Sequence, residues 1–545
     1  MLRARRALVT LAACAVAVVS AAGLLHQNDL SLPGRTVASI FQDDQLLLYQ
    51  PSSTAGAQEV QRTLMALRGL GVDVLRLTVE WAYIAPAQRP ASFDAADPAD
   101  YPAANWIPYD RIDRLAAQDG LRVDFDVTGP GPAWAMSASP SAAYKDVYEP
   151  STTDFEQFVQ AVGRRYGGDY VGSRGALAAA SRPLPRVSFW SVWNEPNQPG
   201  WLAPQYRRAQ AGASVPVSPA LYRSLLDAAW SGLARSGHTP ARDTILAGEL
   251  APESIEHTTA ESAISPMPFL RALYCVGPGY HRLAGAGAAA LGCPRTGTGA
   301  AFVAANPALF EMTGFALHPY SFFLAPGVSI VHDPSDVPIS DLDRIERGLD
   351  GAFAAYGSAR RLPLYLTEYG YETDPPNPFR GVSLARQARY IDQGEYLAWR
   401  DPRVRAMAQF LLRDAPPDTA YKPGTLRYWS TFQSGLEFVD GAPKPALGAY
   451  RLPIFLPRAT VGAGGRLLVW GMLRPARNGT RQTARIQWRA PSGAFRTLAT
   501  VATNDPSGFL EARIRPPASG AVRLAWTGPS GTTYYSLGVP VSVGG

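Results

Sequence analysis

Between residues 37 and 450 the chain alternates short, strand-length apolar runs with longer stretches whose apolar residues return every three or four positions. That alternation predicts repeated strand–helix units with parallel strands, because a crossover of helical length is needed to start each new parallel strand. The first strand is expected at 36–41, followed by a helix with Val60, Leu64 and Leu67 on one face, closed by Gly71. VDVLRLTVEW, LRVDFDVTG, RVSFWSVWNEP, TILAGEL, FALHPYS, LPLYLTEYGYE and RAMAQFLLRD supply seven more strands, with helical patterns around 109–118 and 155–166 between them. Eight such units predict the α/β class and a (β/α)8 TIM barrel over 37–456. An open doubly wound sheet is the rival, but no glycine-rich phosphate loop follows the first strand.

Beyond Pro457 the pattern changes to short strands split by turn residues: GRLLVWGML, RQTARIQWRA, FRTLATVAT, GFLEARIRP, AVRLAWT and YYSLGVPVSV. Regular short strands of this kind predict a C-terminal β-sandwich over 457–545. Its simplest role is a cap on the barrel, with a sugar-binding module as the alternative. About 420 residues exceeds the usual barrel of about 250, so insertions are expected near 84–107 and 251–311. Long loops on the catalytic face shape clefts.

Composition adds little to this picture except at the two ends. Hydrophobic content of 46% and charged content of 18% suit a globular chain and exclude disorder. MLRARR followed by the apolar stretch 7–25 predicts that residues 1–25 are a signal peptide or an N-terminal membrane anchor, which makes the protein secreted or cell-envelope associated. LAAC resembles a lipoprotein box, but apolar sequence continues past Cys14 where a polar tether is expected. In an oxidising compartment Cys275 and Cys293 are expected to pair, two separate buried thiols being the alternative. The net charge of +6 is uneven: eleven arginines against two acidic residues give the tail after 456 a balance of +9, leaving −3 for the rest. A basic end of this kind either contacts anionic envelope polymer or is a solvated surface. Nucleic acid is not an expected partner, since the basic residues are confined to the tail and export removes the ligand. Neither HExxH nor a ligand-spaced histidine cluster occurs, so no metal or cofactor is expected, and the lack of GxSxG argues against a serine hydrolase.

Chemistry in such barrels sits at the C-terminal ends of the strands, and the polar residues here follow that rule. Arg76 and Glu80 come late in the second strand, Trp134 follows the third, Asn194 and Glu195 close the fourth, His318 and Tyr320 the sixth, and Glu368 the seventh. Two glutamates on one rim supply what acetal hydrolysis needs, a proton donor for the leaving oxygen and an anion facing the anomeric carbon. The acid of such a pair must hold its proton near neutrality, which an anionic neighbour favours. Strict alternation sends Asn194 and Glu195 to opposite faces, so an irregular strand end is required for both to reach a substrate. Glu372 lies just beyond Glu368 but outside the LPLYLTE run, while Glu80 and Glu249 read as substrate contacts at most.

WNEPN at 193–197 together with TEYG at 367–370 resembles the retaining glycoside hydrolases of clan A. Within the clan, PAW at 132–134 and NEPNQPGW resemble family 39, with family 5 next. The resemblance covers about 37–455 and excludes the tail. It implies Glu195 as acid/base, Glu368 as nucleophile, Asn194 on the sugar hydroxyl beside the anomeric carbon, Arg76 steadying the nucleophile, and His318 and Tyr320 touching nucleophile and sugar. For Arg76, a structural pair with Asp73 or Glu80 is the plainer alternative. Trp134, Trp201 and Trp429 are candidate flat faces for sugar rings, or else barrel packing. The implied partner is an oligo- or polysaccharide, cleaved through a covalent glycosyl-enzyme intermediate. Transglycosylation, or glycan binding without turnover on the same barrel, are the alternatives.

Overall fold

Eight parallel strands close into a barrel in chain order: β1 (Ala38–Gln42), β2 (Val74–Glu80), β3 (Arg122–Thr128), β4 (Phe189–Val192), β5 (Thr244–Leu250), β6 (Gly314–Leu317), β7 (Leu364–Leu366) and β8 (Val404–Phe410). In register, Ile40 of β1 lies between Val74 of β2 and Ala408 of β8, which completes the ring. The computed structural model describes residues 37–544 apart from 172–181, 209–211, 213, 255–260, 331–332 and 477–479. The expected signal or anchor at 1–25 lies outside the described residues, and no helix among the described residues is long and apolar enough to cross a membrane.

Helices α1 (Thr54–Gly69), α2 (Ala103–Gln118), α3 (Thr152–Arg165), α4 (Ser218–Arg235), α5 (Pro266–Leu273), α6 (Leu342–Ala355) and α7 (Leu384–Arg400) make the crossovers. The first shows why the sequence folds as it does. The Ser53 side chain accepts from the Gly56 N–H at 3.2 Å and caps the start, Val60, Leu64 and Leu67 are fully buried, and Gly71 with φ +74° follows the end.

Inside the ring, Ile40, Val74, Phe189, Leu246, Ala316, Ala406 and Ala408 form an apolar cluster of their own. Arg76 is two residues beyond Val74, so pleating sends it to the same inward face, one layer nearer the mouth. The apolar floor therefore gives way to a charged layer. The 251–311 insertion carries α5 and a disulfide between Cys275 and Cys293, with Cα atoms 5.7 Å apart.

The C-terminal strands form two further sheets. One joins β9 (Ile454–Phe455), β11 (Leu467–Met472) and β14 (Phe509–Ile514). The other joins β10 (Thr460–Gly462), β12 (Gln482–Arg489), β13 (Arg496–Thr503), β15 (Gly520–Thr527), β16 (Thr533–Tyr535) and β17 (Val539–Gly544). Strand β9 precedes Pro457 and already pairs with β11, with Ile454 opposite Gly471. The unit has its own core, including Val469, Ile486, Leu524 and Trp526. It is fastened to α7 by Trp470, whose ring centroid lies 5.6 Å from Tyr396 and 5.9 Å from Trp399, and by the fully buried Arg474. That guanidinium donates to the Glu395 carboxylate and to Ser39 on β1, and lies over the Tyr450 ring at 3.8 Å.

Candidate active site

The fourth strand ends irregularly. After Val192 the backbone turns left-handed at Trp193 (φ +64°) and again at Glu195 (φ +39°). Three successive N–H groups are then held by neighbouring strands. Trp193 donates to the Val127 carbonyl at 3.1 Å, Asn194 to Thr128 Oγ1 at 2.9 Å, and Glu195 to the Glu249 carbonyl at 3.0 Å. This departure from alternation lets Asn194 and Glu195 both face the mouth. Non-glycine residues in this region carry strain of about 1–3 kcal/mol each, which the surrounding hydrogen bonds must offset.

Arg76 is the hub. Its guanidinium is fully buried and donates from Nη1 to Glu368 Oε1 at 2.8 Å and to the Gln42 side-chain carbonyl, and from Nη2 to Asp126 at 3.0 Å, Asn194 Oδ1 at 2.9 Å and Glu249 Oε2 at 2.9 Å. Burial alone disfavours its charge, but Glu249, Asp126 and Glu368 raise it above the ordinary arginine range. The simpler partners considered from sequence, Asp73 and Glu80, are not used; Asp73 accepts instead from the Ser39 N–H.

His318 lies between carboxylates. Nδ1 is 2.9 Å from Glu195 Oε1 and 3.7 Å from Glu368 Oε2, and Nε2 is 2.9 Å from Glu249 Oε2. Burial works against a charged ring, yet Glu368, Glu195 and Glu249 outweigh it and push the imidazole up to about 10. That direction, with a carboxylate oxygen at each ring nitrogen, favours an imidazolium, the form in which both nitrogens donate. Tyr320 donates its hydroxyl to Glu368 Oε2 at 3.0 Å. Burial pushes the Glu368 carboxyl up, and Glu195 adds to this, while His318, Arg76 and Tyr320 pull it back toward the anion.

One oxygen from each of Glu195 and Glu368 and a ring nitrogen of His318 all lie within 4.8 Å of one another. The two carboxylate side chains are 20% and 11% exposed, enough to meet a ligand while most of each is dry. This triplet has the donor types of a cation site. In its imidazolium form the ring offers a metal no lone pair.

No hydrogen bond or ring contact joins Trp134, Trp201 or Trp429 to these carboxylates among the described residues. Trp134 donates to the Pro86 carbonyl at 2.9 Å and packs edge-on against Trp81 and Phe93, with Arg89 over its ring, so it pins the 84–107 insertion. Trp201 accepts through its carbonyl from the Trp193 indole, and Trp429 packs edge-on against Tyr428. All three remain partly exposed. Glu372 is held by Asn377, away from the hub.

Sequence reasoning underrated Glu249. Instead of standing on the rim as a substrate contact, it is fully buried and accepts at Oε2 from Arg76, His318 and, at 2.8 Å, Thr367 Oγ1. Burial opposes its charge, but Arg76 and His318 hold it down to about 2. Asp126, raised by burial to about 7, was also missed. A signal for Asp126 was available: VDFDV places two aspartates on one face of an otherwise apolar strand, and an inward-facing pair in a closed barrel must meet a cation.

No family model and no curated protein matches the chain. Among solved structures, a family 51 alpha-L-arabinofuranosidase from Bifidobacterium longum aligns with TM-score 0.42 and 11% identity over 89% of this chain and 94% of its own. GH5_18 from Bifidobacterium longum subsp. longum aligns with TM-score 0.41 and 12% identity over 76% of this chain and 78% of its own. A fungal beta-1,4-galactanase aligns with TM-score 0.38 and 14% identity over 77% and 99%. Scores this low carry no argument about activity, so the functional reading rests on the site's own geometry.

Proposed function

We propose that the protein is a retaining glycoside hydrolase of the clan A type, with Glu195 as acid/base and Glu368 as nucleophile. The observation that carries this reading is the approach of the two carboxylates to within 4.8 Å at the mouth of the barrel. Retaining enzymes hold their pair about 5–5.5 Å apart, whereas inverting enzymes leave about 6.5–9.5 Å for a water. Glu368 faces the anomeric carbon as an anion steadied by Arg76 and Tyr320, and displaces the leaving oxygen while Glu195 protonates it. Glu195 then takes a proton from the water that releases the sugar. Asn194 is oriented by Arg76 through its Oδ1, and its amide nitrogen, which has no hydrogen-bond partner among the described residues, serves the neighbouring sugar hydroxyl. Within the clan, the PAW and NEPNQPGW motifs favour family 39.

The test is turnover of a panel of activated aryl glycosides. Glu368→Ala is expected to lower kcat by roughly 10⁴-fold or more, with azide restoring part of it as a glycosyl azide product. Binding of glycans without turnover across the panel would instead identify a non-catalytic glycan-binding protein.

A further inference from the structure

Glu249 occupies a built irregularity. Strand β5 loses register with β6 between Ala247 and Leu250, Gly248 has φ +111°, and Glu249 itself is left-handed at φ +49°. A Cβ at Gly248 would approach the Ala316 carbonyl oxygen to 2.5 Å, so only glycine permits the bulge. The bulge turns the Glu249 carboxylate inward under His318. Its carbonyl at the same time accepts the Glu195 N–H at 3.0 Å. Glu195 and Glu249 are thus tied twice, once through backbone and once through the imidazole between them. Neither link belongs to the two-carboxylate chemistry proposed above.

We propose that Glu249 is a positioning residue that keeps His318 protonated, and that His318 is the proton store from which Glu195 is charged. This rests on the reading of Glu195 as acid/base. The Nδ1–H bond of His318 breaks as an O–H bond forms on Glu195 Oε1, leaving a neutral ring that still donates Nε2–H to Glu249. Glu195 passes that proton to the leaving oxygen as the glycosidic C–O bond breaks and Glu368 bonds to the anomeric carbon. In the second half, Glu195 takes a proton from the attacking water as the Glu368 ester bond breaks, and returns it to Nδ1. No proton is gained or lost over the cycle beyond those of the hydrolysis itself.

The surroundings of the ring support this. The charged groups facing it are Glu195 from β4, Glu249 from β5 and Glu368 from β7, with Asp126 of β3 contributing at longer range and Arg76 lying beyond Glu249. The Tyr320 hydroxyl meets Glu368 and not the ring. Three carboxylates against one buried imidazole hold its proton up to a pKa of about 10. Removing the charge of Glu249 takes away one of the two hydrogen-bonded anions, so the proton leaves at lower pH.

The experiment uses the full chain labelled with ¹⁵N-histidine, the His318 signals being identified by their loss in His318→Asn. In the native protein the His318 imidazolium is expected to persist through pH 8. In Glu249→Gln its titration is expected to fall by about one pH unit or more. Glu249→Asp, which withdraws the carboxylate by one methylene, should give an intermediate shift and serves if the first variant does not fold. For an aryl glycoside that is turned over, the basic limb of the pH–rate profile should move acidward in each variant by as much as the His318 titration moves in that variant. A neutral His318 at pH 7 in the native protein, an unshifted titration in both variants, or a basic limb that ignores the titration would each overturn the proposal. If no glycoside is turned over, the spectra still report on the Glu249–His318 pair while the hydrolase reading alone fails.

Discussion

Arginine has opposite environments in the barrel mouth and on the C-terminal sandwich. Arg76 is sealed in the barrel and shared among Asp126, Glu249 and Glu368. On the sandwich, Arg485 of β12 is exposed, and Arg523 of β15 lies flat against Phe495 at 3.9 Å and Tyr535 at 4.0 Å, with its Nε donating to Gln487. Neither has a carboxylate partner among the described residues. The same side chain is an electrostatic keystone where water is excluded and a planar apolar surface where water is present. Charge counts from sequence mean little until burial is known. Eight of the tail's eleven arginines are exposed, whereas the buried guanidinium of Arg76 ties together residues from five other strands.

The largest effect is expected at Arg76. Arg76→Met leaves three carboxylates without their shared cation, and a loss of about 5 kcal/mol is expected in urea unfolding, the upper end of the range for one broken buried pair. Activity should fall with it even where the variant is folded. The junction between the two regions comes next. Arg474→Met strands only Glu395, so a loss of about 3 kcal/mol is expected. Because Arg474 joins the sandwich to α7 and β1, calorimetry of the variant should show the sandwich unfolding at a lower temperature than the barrel. The smallest effect is expected at Arg485→Ala, within about 0.5 kcal/mol and with kcat unchanged. A large loss there would mean that the exposed charges of the sandwich are structural after all.

Much of the architecture was legible because it depends on periodicity. Val60, Leu64 and Leu67 could form one buried face only in a helix, and the apolar runs between helices had to be strands covered on both sides. The strand-end glutamates stood out for the same reason, since WSVWNEP and LYLTE change abruptly from apolar to acidic. Glu249 did not stand out. Its direction depends on a bulge, and a one-residue irregularity reverses every inward and outward assignment made from alternation. The tryptophans were ambiguous for another reason. An indole serves equally as core packing or as a sugar platform, and sequence cannot tell which neighbours will claim it.

The sequence alone determined that eight segments become the strands of a barrel and that Glu195 and Glu368 close two of them, because those properties follow from local backbone periodicity and the chain order of a closed sheet. Only the tertiary structure decided that Arg76 would be shared by residues from five other strands, that Glu249 would bond to the His318 ring, and that one oxygen of each of Glu195 and Glu368 would lie within 4.8 Å of the other. Such contacts join residues up to 292 positions apart. They are fixed by barrel closure and by two left-handed strand ends, neither of which leaves a periodic signal in the chain.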